Sequence, residues 1–197
     1  MDSAYAISDT SGIFSPALIV YRSIVIENIK KMIAIAGNVS RLRPHCKTHK
    51  MPAVTKIELE MGITKHKCAT FAEAEMLAEA GAKDIFLAYN IVGPNITRAV
   101  QFLKKFPDVR FAVTADDPRM IEELSDAMVK EGTTIGVLLD LDSGMHRTGI
   151  SPGPQAAELY QILLDSPGIK PGGFHLYDGH NQQSNLEERT AAVQAVW

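Results

Sequence analysis

A chain of 197 residues is long enough to bury one sizeable core and marginal for two domains, which removes peptide-scale and disulfide-scaffold readings. It is 46% hydrophobic and 22% charged, with 23 acidic against 20 basic residues and a formal net charge of −3, a globular profile without the basic excess that nucleic acid demands. Apolar runs such as Ala17 to Val20 fall far short of the roughly 18 residues of a membrane helix. The N-terminus also lacks the pattern of a signal peptide and two cysteines make no disulfide framework, so a cytoplasmic protein is expected.

In chain order, the spacing first predicts a helix from Tyr21 to Ala36, with Val25, Ile29, Met32, Ile33 and Ala36 on one face and Gly37-Asn38 as its stop signal. Strand-like runs follow at Arg43 to Thr48, His66 to Thr70, Ile85 to Tyr89, Arg110 to Thr114, Ile135 to Asp142 and Gly173 to Tyr177. Between the later runs, apolar residues recur three and four apart: Ile96, Val100 and Leu103, then Met120, Ile121, Leu124 and Met128, then Leu159, Tyr160 and Leu163. Gly and Pro mark the joins, at Gly81, Gly93-Pro94, Pro107, Gly132, Pro152-Gly153-Pro154 and Pro167-Gly168.

Successive βα units call for a parallel sheet covered by helices, either an open doubly wound sheet or a (β/α)8 barrel. Neither G-x-G-x-x-G nor a P-loop occurs, which favours the barrel. A closed barrel needs eight strands and typically about 250 residues. The chain stops at Trp197, inside what reads as the helix after the sixth strand, so the expectation is one α/β domain over 1–197, a barrel truncated after about six strands.

Barrel chemistry sits at the C-terminal ends of the strands. Three such ends are unusually polar: Arg43-Pro44-His45-Cys46-Lys47-Thr48-His49-Lys50, the turn after Leu139 that runs through Asp142, Gly144, Met145, His146, Arg147 and Gly149, and Gly172 to Asn181 with His175, Tyr177 and His180. A lysine in a strand invites explanation, because a buried ammonium is costly and a neutral amine is the nucleophile of Schiff-base chemistry. Alternation places Lys47 on one face with His45 and His49. Equally, these lysines read as solvated loop cations and the histidines as polar fillers, and pattern alone leaves both open.

The octet RPHCKTHK, the turn LLDLDSGMHRTG and the strand GGFHLYDGHN, in this order, resemble the alanine racemase-like, fold-type III pyridoxal-phosphate enzymes, and within them the D-threonine aldolase and D-serine dehydratase branch. The resemblance runs from about Tyr21 to the end and implies a barrel of the alanine racemase N-terminal type. It puts the Schiff-base lysine at Lys47 rather than Lys50, a contact to the cofactor's phenolic oxygen at Arg147, and the ring-stacking residue at Tyr177. His175 shares a face with Tyr177, and with His45 is a candidate for touching substrate. His66 and His146 match no functional position. The Tyr-Asp-Gly-His segment ending at His180 is closer to D-threonine aldolases.

The activity implied is cleavage of β-hydroxy-D-amino acids, D-threonine to glycine and acetaldehyde. The alternatives are D-serine dehydration to pyruvate and ammonia, or a non-catalytic pyridoxal-phosphate protein. Family members carry a divalent metal (Mn, Mg or Zn) on a C-terminal β-domain that this chain lacks, together with phosphate-binding residues on the last barrel strands. No metal ligands are assigned here, and Cys46 and Cys68 read as small buried apolar groups. The partners expected are a small D-amino acid and, for the complete protein, a second copy of itself.

Overall fold

The computed structural model describes residues 5–195; Trp197, the expected stop within a helix, lies outside them. Helices α1 (Arg22–Ala36), α2 (Pro52–Glu60), α3 (Phe71–Glu79), α4 (Pro94–Lys105), α5 (Pro118–Lys130), α6 (Pro154–Asp165) and α7 (Leu186–Gln194) alternate with strands β1 (Lys65–Cys68), β2 (Asp84–Asn90), β3 (Arg110–Ala115), β4 (Ile135–Leu141) and β5 (Ile169–Leu176). The five strands form one parallel sheet in the order β1-β2-β3-β4-β5, so each βα unit lays its strand beside the previous one, as in a barrel wall. Among the described residues, no helix is long and apolar enough to cross a membrane.

Local chemistry sets the helix ends. Gly37 closes α1 in the left-handed region at φ 73°, its N–H donating to the Ile33 carbonyl, as the Gly-Asn stop predicts. Asp117 caps α5 by accepting from the N–H groups of Arg119 and Met120, with Pro118 in the first turn. Thr70 caps α3 by accepting from the Glu73 N–H, while the Glu73 carboxylate reaches back to the Ala69 N–H at 2.8 Å, a capping box shifted by one residue.

The main core lies between the sheet and its helices. Ile85, Leu87, Val113, Val137 and Leu139 point outward from the strands and pack with Leu77, Ile121, Leu124, Met128 and Leu163, all buried. Each such side chain contributes about 1.5–3 kcal/mol over an exposed one. The opposite face of the sheet carries Lys67, Phe86, Leu138, Asp140 and His175, a mixture suited to a barrel interior. Pairing of β4 with β5 shifts register once: Val137 faces Pro171 but Leu139 faces Phe174, so β5 holds one extra residue at Gly172-Gly173.

One expected strand is corrected. Arg43 to Thr48 is not a strand; its pairing with the sheet is a single parallel bridge from His45 to Lys67, and the chain then coils into a 3-10 turn over Cys46–Thr48. The reason is local: the His45 ring Nδ1 accepts from the Lys47 N–H at 3.2 Å, and Lys50 takes φ 49°, bending the chain away from the sheet. The remaining five expected strands are present with ends moved by up to four residues, and the Tyr21 to Ala36 helix begins at Arg22.

Candidate active site

The turn after the His45 bridge points its side chains by 3-10 geometry, not strand alternation. His45 and Lys47 line a cavity at the C-terminal ends of the strands, whereas His49 accepts from the Met51 N–H and stays outside it, so the expected shared face of the three is not formed. Lys47 is exposed, not buried in a strand. Lys50 turns its ammonium to the Lys47 carbonyl, 2.6 Å away, and toward Glu73 at 3.8 Å. Cys46 points inward, and its thiol donates to Glu73 at 3.8 Å. His45, Cys46 and Glu73 do bring donor atoms within 4.8 Å of one another. Burial pushes the Cys46 thiol up to about 12, however, and the carboxylate is engaged with Ala69, so the trio ties the turn to the start of α3.

The cavity holds about 310 Å³ and is lined by His45, Lys47, Lys67, Asp140, Arg147, His175 and Tyr177, with Ala88, Tyr89 and Asn90 from the end of β2. All five candidate residues from the sequence therefore meet in one place. Tyr177 follows the end of β5, and its carbonyl accepts from the Ser143 hydroxyl at 3.1 Å. The Arg147 guanidinium lies 4.6 Å from the centre of the Tyr177 ring, and the Lys47 ammonium 5.9 Å from it. Arg147 rides on a turn anchored at both ends: Asp142 accepts from the N–H groups of Gly144 and His146, and Asp116 accepts from the Gly149 N–H at 2.8 Å. The His146 backbone N–H, foremost, holds the Asp142 carboxyl below the usual range. Neither Asp140 nor Asp142 pairs with Arg147, because Asp140 serves His175 and Asp142 serves His146.

Two further residues of the cavity were not singled out by sequence as site residues. The Lys67 ammonium meets His175 Nε2 at 2.8 Å, and His175 Nδ1 meets the Asp140 carboxylate at 2.6 Å. Burial first, then the nearby Lys47 ammonium, hold Lys67 below the ordinary lysine range. The available signal was a Lys-His-Lys-Cys run in which Lys65 and Lys67 share one face of a very short strand, against two wholly buried neighbours, His66 and Cys68. His66 sits buried 3.3 Å from Glu58 on the helix side, without hydrogen-bond alignment and away from the cavity. His146 is exposed, and His180 packs near Gly144.

His45 should make stability pH-dependent. Burial, then the Lys47 and Lys67 ammoniums, depress it from 6.5 to about 4. Below 6.5 the unfolded chain takes up a proton here that the folded chain refuses, so stability falls as pH drops toward 4. Half-exposure screens the size of the effect. Urea midpoints measured at about pH 7.5 and about pH 4.5 should fall further for the wild type than for His45→Gln; equal losses would count against this account.

Three comparisons bear on this geometry. The family model described as alanine racemase, N-terminal domain, matches residues 22–196. D-threonine aldolase from Arthrobacter sp is 30% identical over 91% of this chain and 47% of its own length, and 3-hydroxy-D-aspartate aldolase from Paracoccus denitrificans is 30% identical over 95% and 49%. The crystal structure of D-threonine aldolase from Filomicrobium marinum superposes with a TM-score of 0.84 at 31% identity, covering 93% of this chain and 50% of that one. The chain spans about half the length of these relatives. On this match of sequence and fold, the chain belongs to the alanine racemase N-terminal domain family of fold-type III pyridoxal-phosphate barrels.

Proposed function

We propose that the complete protein is a pyridoxal-phosphate-dependent lyase of the D-threonine aldolase kind, cleaving β-hydroxy-D-amino acids to glycine and an aldehyde. The observation that carries the reading is one strand-end cavity that gathers a free amine, a guanidinium and an aromatic ring on Lys47, Arg147 and Tyr177. The aldolase relatives at 30% identity support the reaction class.

The residues present fit the cofactor. A cavity of about 310 Å³ is within the range of small-ligand sites, and three cations, Lys47, Lys67 and Arg147, face it with one carboxylate, Asp140, already committed to His175. When bound, pyridoxal phosphate supplies an electron sink for bond breaking at the α-carbon. Lys47 offers the amine that bonds its aldehyde carbon. Arg147 offers fixed donors to an anionic oxygen, and Tyr177 a flat apolar face beside it. His45 is neutral at neutral pH and spends Nδ1 on the Lys47 N–H, so its Nε2–H is left to donate to substrate. A divalent metal and the phosphate-binding groups belong to this reading with ligands outside the chain, as do a cytoplasmic setting and a dimer.

The complete protein, given pyridoxal phosphate and a divalent metal, should release glycine from D-threonine. Pyruvate from D-serine without glycine from D-threonine would make it a dehydratase, and the absence of both products would sink the lyase reading.

A further inference from the structure

Lys67 of β1 stands in an arrangement to which the lyase reading gives no task beyond its charge. Lys67, His175 and Asp140 come from β1, β5 and β4 and form an unbroken line across the inner face of the sheet, with contacts of 2.8 and 2.6 Å. Asp140 is 4% exposed and His175 8%, so both inner members of the line are withdrawn from water, while Lys67 lines the cavity. Phe86 closes one side, its ring 5.3 Å from the imidazole and 5.7 Å from the ammonium.

The chemistry of this line is unusual in one respect. With Asp140 ionised, His175 keeps its proton on Nδ1 and presents the Nε2 lone pair to Lys67. An ammonium donates to that lone pair, and so does a neutral amine. If the proton moves onto the imidazole, Nε2–H donates to the amine lone pair instead. Every hydrogen bond of the line therefore survives whether Lys67 holds its proton, lends it to His175 or gives it up to the cavity. A structural ion pair lacks this property, because losing the proton removes its reason to exist.

We propose that Lys67 is a proton carrier of this pocket, sharing one proton with His175 while Asp140 holds the imidazole in place. The proposal rests on the reading of this cavity as the reaction site and adds to Lys47, the amine that bonds the cofactor, a separate amine whose task is to hold and return a proton. On delivery, an ammonium N–H bond of Lys67 breaks, its electron pair stays on Nζ, and the proton bonds to a basic oxygen or nitrogen in the cavity; return reverses both changes. No other reactant is needed. The charged and titratable groups around Lys67 are Lys47, His45 and Arg43 from the chain before β1, Asp140 from β4, Arg147 from the turn after it and His175 from β5. Burial first, then the cations, favour release of the proton and Asp140 opposes it, which agrees with the lowered affinity of Lys67 for its proton.

Competitive labelling tests this on the complete protein freed of pyridoxal phosphate. A trace amine-reactive acylating reagent is applied across the pH range, and the rate at each lysine is read by peptide mass spectrometry, with the exposed Lys31 as the internal reference. Lys67 should acquire reactivity at lower pH than Lys31 and react several-fold faster, relative to its own plateau, near neutrality. Lys47→Ala, on an exposed turn, should move the Lys67 midpoint up by removing a like charge, and Asp140→Asn should move it down. Titration together with Lys31, or no labelling of Lys67 at any pH, would overturn the proposal. The readout needs neither cofactor nor turnover, so it stands or falls separately from D-threonine cleavage.

Discussion

Replacing Lys47 with alanine in the complete protein should lower turnover by roughly 10⁴-fold or more while leaving its folding stability nearly unchanged. The first half follows from the unique position of this amine: Lys47 is exposed to the cavity beside Tyr177, whereas Lys50 is spent on the Lys47 carbonyl and Lys67 on His175. The second half follows from its exposure on a 3-10 turn whose shape is held by backbone contacts and the His45 ring, none of which needs the lysine side chain. Borohydride treatment of wild-type protein mixed with pyridoxal phosphate, followed by peptide mapping, should fix the label on Lys47 and nowhere else in the cavity. Label on Lys50 or Lys67 would overturn the assignment even if turnover were lost.

Gly149→Ala should destabilise the protein by about 2–5 kcal/mol. Two independent costs coincide there. The backbone sits at φ 97°, a region that a residue with a Cβ rarely adopts, and the added Cβ would stand 2.7 Å from the Asp142 nitrogen and 2.8 Å from the Leu141 carbonyl carbon. Gly132→Ala is the control, since φ is 64° and nothing lies within 4 Å of the new Cβ, so only the conformational cost of about 1 kcal/mol remains. Denaturant midpoints for the two variants separate the contributions. Equal losses would mean that the turn relaxes and that its close backbone packing does not fix Arg147.

The outward half of the sheet was readable because parallel strands buried on the helix side are near-continuous apolar runs, and Ile85, Val113 and Val137 fall in such runs. Helices α4, α5 and α6 were readable from apolar spacing, and α1 from its stop at Gly37. The first expected strand failed because extended residues before a turn look like a strand to any periodic test; a ring nitrogen folding back on its own backbone has no period. At the site, three polar motifs, one on a 3-10 turn and two at strand ends, marked Lys47, Arg147 and Tyr177, which line one cavity. Lys67 and Asp140 stayed hidden because their importance is a relation among β1, β4 and β5, and no local window spans the 108 positions from Lys67 to His175.

The extra residue in β5 gives the strand an inside and an outside that exchange midway. Ile169, before it, packs into the helix-side core, and His175, six residues later, points to the opposite side, although an even separation on a regular strand would keep both on one face. Deletion of a single codon at Gly172-Gly173 would leave composition almost untouched, yet it would turn His175 into the apolar layer. Variation in this strand is thus constrained in length more tightly than in letters. Exchanging one side chain for another leaves the facing of its neighbours intact, whereas only insertions or deletions in pairs would preserve it.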